Sequence, residues 1–234
     1  MRKNIPIIIV CGGQGKRLGH ISKLMPKTMV KINKKSIIKH KLDYYKKNGI
    51  NKFYICLGYK GKLVKKHLNN YPANIKYSNS GIRAGILKRI HDASNLIDET
   101  AMIISYGDTL AKINLKKLYN SHLNSKALIT IVVSKILNPF GIVEYNRSNQ
   151  LVKFSEKPVQ DHFIGYAVFS KNIFEHISKN IINMPDGDGI IKIIQEMIHK
   201  KKTNIFKFKG LQLTVNTSKD LKEANLKYNK YFTL

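Results

Sequence analysis

A glycine-rich turn near the N-terminus carries the residues best suited to chemistry. Three glycines within four positions follow the apolar run 5–10, and they permit a turn that few side chains could follow. Without side chains in the way, the backbone N–H groups of such a turn can surround phosphate oxygens. Cations beside the turn are Lys16, Arg17 and Lys27. Strand, turn and cations together predict a cradle for the phosphates of a nucleotide.

Two other phosphate-binding motifs fit this stretch less well. A P-loop needs serine or threonine directly after its lysine, whereas Lys16 is followed by Arg17. The dinucleotide fingerprint Gly-x-Gly-x-x-Gly needs a spacing that these glycines do not have. A glycine turn that serves packing alone is a further alternative, and the flanking cations make it the weaker one.

Several motifs in order along the chain resemble the nucleotidyltransferases that activate sugar 1-phosphates. The glycine turn continues into Arg17-Leu18 and then Pro26-Lys27, as in that family's signature. The segments 53–61 and 85–89 are most similar to the glucose-1-phosphate cytidylyltransferase branch. The remaining motifs that resemble the family lie at 105–108, 140–143 and 156–158.

The resemblance implies both a fold and a reaction. The fold is α/β, with a Rossmann-like, mostly parallel sheet sandwiched by helices and a small antiparallel insert, in the nucleotidyltransferase (GT-A-like) arrangement. We expect one such domain over residues 1–234. The reaction transfers CMP from CTP to a small phosphorylated acceptor and releases pyrophosphate. Because the attacking phosphate is already an anion, alignment and cations suffice and no general base is needed.

The resemblance also assigns roles to single residues. As catalytic residues, Arg17 would hold the departing pyrophosphate, Lys27 would reach the α-phosphate and the attacking oxygen, and Asp108 would bind Mg²⁺. The nucleotide would be bound by Cys11, Gly12, Gly13, Gln14, Gly15, Lys16, Ser80, Gly85 and Asp108. The acceptor would be bound by Gly141, Glu156, Lys157 and Gly165.

The metal site departs from the family pattern. The family takes a second acidic ligand from an Asp-Thr pair near the C-terminus, and here the pair is Asn216-Thr217. An amide oxygen can coordinate Mg²⁺ but adds no negative charge. The resemblance therefore implies Mg²⁺ held by Asp108 and Asn216, with less charge than the usual pair supplies.

The acceptor side departs further. Sugar-specific relatives carry Asn and Gly where this chain has Phe163 and Ile164. Apolar side chains cannot hydrogen-bond sugar hydroxyls, so such a site loses its preference for them. A small phosphorylated amino acid is then one acceptor, with phosphoglutamine of capsule phosphoramidate synthesis as the nearest fit. A sugar 1-phosphate for surface polysaccharide, a phosphocholine or phosphonate acceptor, and UTP in place of CTP stay open.

The net charge of the chain suggests a different class of protein. Of 234 residues, 42 are lysine or arginine and 14 are acidic, which gives a net charge of +28. A basic nucleic-acid- or phosphate-binding protein without turnover is therefore the second alternative. The lysines are spread along the whole chain, and no strand interleaves arginine with aromatic residues. We expect solvated lysines that steer anionic substrates, and no nucleic-acid partner.

Cysteine usage and hydropathy indicate the compartment. Cys11 and Cys56 lie in apolar runs without a CxxC or His/Cys cluster, which predicts buried, reduced thiols. No apolar run reaches membrane-spanning length. We expect a cytoplasmic protein with no membrane partner, and homo-oligomerisation is left open.

These residues must be positioned by a largely parallel sheet with crossover helices, because apolar runs alternate with helix-period segments. Strands are predicted at 7–11, 53–57, 101–105, 129–133, 142–145, 152–155, 164–169 and 205–208. Helices are predicted at 37–48, 62–69, 86–95, 115–122, 171–177, 190–199 and 220–231. An antiparallel insert is expected over 141–169. Because ligands of open sheets bind beyond the carboxyl ends of the strands, the motifs after residues 11, 57 and 105 should converge.

Overall fold

Strands and helices alternate through most of the chain. The computed structural model describes residues 5–232. Its strands are β1 (Ile7–Val10), β2 (Lys31–Ile32), β3 (Lys35–Ser36), β4 (Lys52–Leu57), β5 (Asn74–Asn79), β6 (Ala101–Tyr106), β7 (Thr109–Ala111), β8 (Ile129–Leu137), β9 (Ile142–Tyr145), β10 (Leu151–Ser155), β11 (Val159–Ser170), β12 (Thr203–Phe208) and β13 (Gln212–Thr214).

The helices cover both faces of the main sheet. They are α1 (His20–Leu24), α2 (Ile37–Lys47), α3 (Gly61–His67), α4 (Ile86–Ser94), α5 (Leu115–Asn124), α6 (Lys179–Ile182), α7 (Asp188–His199) and α8 (Ser218–Phe232). Short 3₁₀ turns occur at Lys16–Leu18, Lys27–Met29 and Lys171–His176. In the described part of the chain, no helix is both long enough and apolar enough to cross a membrane.

A seven-stranded sheet in the order β12-β8-β11-β6-β1-β4-β5 forms the centre of the protein. Its strands run in one direction except β11, which is antiparallel to both β6 and β8. The central strand β1 is buried on both faces: Ile7 and Ile9 pack into one core cluster and Ile8 into the other. This two-sided burial explains the continuous apolar run, and the predicted α/β, mostly parallel fold is confirmed.

The structure differs from the sequence-based prediction at several elements, and the short elements α1, α6, β2, β3, β7 and β13 were not predicted. The edge strand Asn74–Asn79 was missed because it is half exposed and largely polar, so it lacks the apolar run of the central strands. The predicted helix at 171–177 is a 3₁₀ turn, Lys171–His176. The predicted insert over 141–169 is smaller than expected, because only β9 and β10 form a separate sheet while β11 joins the main one.

A buried histidine ties α5 to the sheet. His122 is 1% exposed, with Nδ1 2.9 Å from Thr130 Oγ1 and Nε2 2.9 Å from Ser170 Oγ. Burial lowers the pKa of His122 to about 4, because a charged imidazole would lose its hydration there. The folded protein therefore holds this side chain neutral.

We expect His122 to make stability depend on pH. As the pH falls below about 6.5, His122 becomes protonated in the unfolded chain but not yet in the folded one. The contribution of His122 to the free energy of unfolding is therefore complete above pH 6.5 and is lost between pH 6.5 and about 4. The loss is at most about 3 kcal/mol. Denaturant unfolding across this range measures it. His122→Gln should flatten the dependence, whereas His199→Gln, at an exposed position, should not. Identical pH profiles for the two variants would contradict this origin.

Candidate active site

The ends of β1 and β6 bring the glycine turn beside the segment that carries Asp108. Val10 pairs with Tyr106, and the Gly107 N–H donates to the carbonyl of Val10 at 3.1 Å. Gly107 leaves no space for a side chain, since a Cβ there would lie 2.4 Å from Thr28 Cγ2. The Pro26-Lys27-Thr28 segment therefore packs directly against this junction, and the predicted convergence of these strand ends is confirmed.

The Lys27 ammonium group is the centre of the site. Its Nζ lies 2.6 Å from Asp108 Oδ2 and 2.7 Å from Asn216 Oδ1. Arg17 Nη2 donates to the same Asn216 oxygen at 3.0 Å. The side chains of Lys27 and Asp108 are only 12% and 23% exposed. Four residues singled out from the sequence thus form one contact network, which we name the Lys27 cluster.

An apolar cluster beneath the site holds these polar groups in place. Leu18, Val30, Leu110 and Val215 pack together, each at most 3% exposed. Each of them lies within three residues of a member of the Lys27 cluster. Burial of these neighbours therefore fixes the backbone from which each polar side chain extends.

Local backbone geometry aims Lys27 at the turn. Gly15 has φ +65°, a left-handed conformation that favours glycine, and a Cβ there would lie 3.2 Å from Lys27 Cβ. Pro26 at φ −60° precedes the 3₁₀ turn that begins at Lys27. The lysine therefore packs directly against the glycine turn.

The loop that carries Asn216 is fixed by an acidic cap. Asp220 Oδ2 accepts from the N–H groups of Asn216 at 2.8 Å and Thr217 at 2.9 Å, and the Asp220 N–H donates to Thr217 Oγ1. Although partial burial raises the pKa of Asp220, these backbone donors outweigh it and hold the pKa below its ordinary value. The Val215 N–H also donates to the carbonyl of Asp108 at 3.0 Å, which joins the two loops.

The remaining nucleotide-side residues lie on or beside the glycine turn, in the loop after β5, and at the start of α4. Cys11 is 4% exposed, and burial raises its pKa to about 12, which keeps the thiol protonated. Gln14 and Lys16 lie on the turn itself, and Ser80 directly precedes Gly81. A Cβ on Gly85 would lie 2.1 Å from the carbonyl of Met184, so this glycine allows the 184–188 segment to approach α4 closely.

The acceptor-side residues fall into two groups. Gly165 has φ +77°, and a Cβ there would lie 3.1 Å from Tyr106 Cβ, so it packs against the strand leading to Asp108. The other three lie at the ends of the exposed β9–β10 hairpin. Lys157 Nζ is 3.6 Å from Glu156 Oε1, and both side chains are 60% exposed. A Cβ on Gly141 would lie 3.2 Å from Glu156 Oε2.

Comparison with known protein families decides the class of protein. The family model described as "Nucleotidyl transferase" matches residues 6–230. The chain belongs to the nucleotidyl transferase family. It is therefore an enzyme, and the Lys27 cluster lies beside the glycine turn in which the sequence predicts the nucleotide site.

Similar proteins agree with this assignment. A protein named "Probable glucose-1-phosphate cytidylyltransferase" from Bacillus subtilis is 25% identical, over 95% of this chain and 96% of its own length. The glucose-1-phosphate cytidylyltransferase of Salmonella typhimurium is 28% identical over 78% of each chain. The crystal structure of HddC from Yersinia pseudotuberculosis superposes with a TM-score of 0.73 at 20% identity, over 96% of this chain and 99% of its own. The last of these supports the fold alone.

Sequence analysis included Arg89 in the family-like motif 85–89 but did not anticipate that it is a buried cation behind the glycine turn of this nucleotidyltransferase. Arg89 is 3% exposed and donates to the carbonyls of Leu57 at 2.7 Å, Gly81 at 2.9 Å and Ile82 at 3.2 Å. A Cβ on Gly12 would lie 2.1 Å from Arg89 Nη1. Arg89 therefore joins β4, the loop after β5 and the turn. Its place in the 85–89 motif does not indicate that it is buried.

A second buried cation supports the other side of the site. Lys41 is 1% exposed, and its Nζ donates to the carbonyl of Thr109 and, at 2.8 Å, to Tyr166 Oη. Tyr45 Oη lies 2.7 Å from Ser105 Oγ and 3.2 Å from Tyr166 Oη. This network braces β6 and β7 on either side of Asp108. No sequence pattern indicates this network, since Lys41 lies in a helix rich in lysine.

We expect Arg89→Met to lower the free energy of unfolding by about 2 kcal/mol or more, because three carbonyls lose a charged donor. Denaturant unfolding measures this loss. The adjacent Lys88→Met is the matched control, since it removes only a half-exposed ion pair with Asp92. Such pairs within a helix contribute about 0.5 kcal/mol or less. Equal destabilisation by the two variants would show that Arg89 does not join these segments.

Proposed function

We propose that this nucleotidyltransferase transfers CMP from CTP to a small phosphorylated acceptor and releases pyrophosphate. The observation that carries the proposal is the convergence of Arg17, Lys27 and Asp108 at the glycine turn. Two basic side chains and an oxygen ligand suit a reaction between two phosphates. CTP is chosen because the relatives from Bacillus subtilis and Salmonella typhimurium are named cytidylyltransferases.

The reaction requires aligned phosphates and positive charge, and it does not require a general base. An oxygen of the acceptor phosphate attacks the α-phosphorus of CTP, and the bond from that phosphorus to the β-phosphate oxygen breaks. Pyrophosphate leaves with the electron pair. In this proposal Lys27 stabilises the negative charge that develops on the α-phosphate, Arg17 holds the pyrophosphate, and the N–H groups of the turn orient the triphosphate.

The residues present fit a divalent cation. Asp108 Oδ2 and Asn216 Oδ1 both lie within 2.7 Å of Lys27 Nζ, so two oxygens already converge on one positive charge. Mg²⁺ prefers oxygen ligands and completes its shell with water and substrate phosphates, so two protein oxygens suffice. Mg²⁺ held by Asp108 and Asn216 would neutralise charge on the phosphates. With those oxygens on Mg²⁺, Lys27 Nζ would be available to the α-phosphate.

Pyrophosphate release with each of the four nucleoside triphosphates, Mg²⁺ and candidate acceptors tests the proposal. We expect turnover with CTP, loss of turnover in excess chelator, and a fall of roughly 10²–10³ in kcat for Lys27→Ala. Lys31→Ala, at an exposed position nearby, is the matched control and should retain activity. Turnover with another nucleotide alone would overturn the choice of CTP. Normal activity of Lys27→Ala would remove Lys27 from the site.

Phe163 and Ile164, the two residues that replace the Asn and Gly of sugar-specific relatives, differ in their exposure. Ile164 is 4% exposed and lies in the core, so it is not available to a ligand. Phe163 is 36% exposed and packs edge-on against Tyr106, with ring centroids 5.7 Å apart. An aromatic pair whose exposed member, Phe163, has no hydrogen-bonding group thus lies next to Gly165 on the proposed acceptor side. This arrangement supports an acceptor that does not depend on hydroxyl recognition, and we propose phosphoglutamine ahead of a sugar 1-phosphate.

We expect kcat/KM with CTP to be higher for phosphoglutamine than for glucose 1-phosphate. A site that hydrogen-bonds hydroxyls can discriminate by about 10⁴, and an apolar wall cannot supply that preference. Phe163→Asn should move the ratio toward the sugar. Leu226→Asn, on the exposed face of α8, should leave the ratio unchanged. A tenfold or greater preference of the wild type for glucose 1-phosphate would instead identify a sugar nucleotidyltransferase.

A further inference from the structure

The charged residues of the helices divide unequally between the two faces of the main sheet. Helices α2, α3 and α5 pack on one face, and α4, α6 and α7 pack on the other. On the first face the three helices carry nine lysines and one acidic residue, Asp43. On the second face four basic residues are nearly balanced by the three acidic residues Asp92, Asp188 and Glu196. A composition that is merely rich in lysine would give both faces a similar charge.

The three lysine-bearing helices lie side by side, with α2 in the middle. His67 of α3 has its Nε2 2.8 Å from Oγ of Ser36, the N-cap residue of α2. Just beyond the other end of α2, a Cβ on Gly49 would lie 3.9 Å from Nζ of Lys116 on α5. Six of the lysines on these helices are exposed, and we name them the lysine face: Lys47, Lys62, Lys65, Lys66, Lys116 and Lys117.

The charges of the lysine face are not neutralised by carboxylates of the protein. Asp43, the acidic residue of these helices, is half-buried and accepts from Lys35 Nζ at 2.8 Å and from Tyr71 Oη at 2.5 Å. Lys46 Nζ is turned to the carbonyl of Pro72 at 2.6 Å. The ion pairs between lysine and acidic side chains in the described part of the chain all involve lysines outside the lysine face. Six positive charges are therefore left for an anionic partner.

The arrangement of these charges favours an anionic bilayer surface over a nucleic acid. At about 8–10 Å between neighbouring helix axes, the lysine face is roughly 20 Å wide, which suits a plane of headgroups better than a single line of phosphates. Nucleic-acid sites use arginine and stacked aromatic rings, whereas the nine cations of these helices are all lysines. The tyrosines of the same helices direct their hydroxyls to partners inside the protein; they are Tyr44, Tyr45 and Tyr119.

We propose that the lysine face adsorbs reversibly to a phospholipid bilayer that contains anionic headgroups. A negatively charged bilayer surface attracts each nearby lysine, and the contributions accumulate across the face. Apolar insertion contributes less, because Leu63 and Leu123, the exposed apolar residues of these helices, are only 38% and 37% exposed. Attraction by charge without a deep apolar anchor gives reversible binding that salt weakens.

Adsorption through this face does not depend on the identity of the nucleotide or the acceptor. The Lys27 cluster lies beyond the carboxyl ends of β1 and β6, whereas the lysine face covers one side of the sheet, so a bound bilayer would leave the active site open. No membrane partner was expected from the sequence, where only apolar runs long enough to span a bilayer were considered. Adsorption by charge needs no such run, and the order of the lysines along the chain does not show that the fold collects them on one face.

Cosedimentation with vesicles tests the adsorption. We expect the wild type to bind vesicles of phosphatidylserine mixed with phosphatidylcholine, and not vesicles of phosphatidylcholine alone. At about 1 M salt, where the Debye length falls to about 3 Å, binding should be lost. Lys62→Gln/Lys116→Gln removes two charges from the lysine face and should weaken binding by at least about tenfold. Lys179→Gln/Lys192→Gln is the matched control, because it removes two exposed charges from the opposite face, and it should bind as the wild type does.

Both double variants replace exposed lysines by glutamine, which has a similar helix propensity, so the fold should be kept. A wild type that does not bind the phosphatidylserine vesicles at low salt would overturn the proposal. Equal weakening by the two double variants would also overturn it, because total charge rather than the lysine face would then be responsible. So would tighter binding to duplex DNA than to vesicles at equal phosphate concentration, if Lys62→Gln/Lys116→Gln weakens that binding, since the lysine face would then belong to a nucleic acid.

Discussion

The contact of one ammonium group with two oxygens from distant parts of the chain organises the site. Lys27 meets Asp108, 81 positions away, and Asn216, 189 positions away. Each oxygen belongs to a separate loop, and the two loops are joined by their own backbone hydrogen bond. The register of β1 and β6 brings the Asp108 loop beside the glycine turn, and the pairing of β7 with β13 brings the Asn216 loop beside Asp108. The geometry of the site therefore depends on the folding of nearly the whole chain.

Buried positive charge recurs around this centre. Arg89 and Lys41 are each at most 3% exposed, and the partners described above are carbonyl and hydroxyl oxygens rather than carboxylates. Carbonyl oxygens carry only partial negative charge, so both cations leave a positive potential on either side of the glycine turn. That potential favours a ligand with several negative charges, which agrees with the proposed use of a nucleoside triphosphate.

The sequence predicted the elements whose signals are local. Gly12, Gly13 and Gly15 indicate a turn, and Asp108 follows a buried apolar run. Both the strand ends and the Lys27 cluster could therefore be anticipated. Arg89 and Lys41 could not, because their importance lies in burial, and a basic residue in a lysine-rich helix has the same local pattern whether buried or solvated. The burial of Ile164 beside the exposed Phe163 could not be anticipated either, because the chain order does not show which of two neighbours faces the core.

The protonated thiol of Cys11 lies directly under the glycine turn. A thiol reacts with disulfides and alkylating agents as its thiolate, so at neutral pH this side chain is inert while the turn is closed. Modification then requires the turn to open and expose the sulfur to water. The alkylation rate of Cys11 therefore measures how often the glycine turn opens, and a ligand that holds the turn closed would slow that rate without contacting the sulfur.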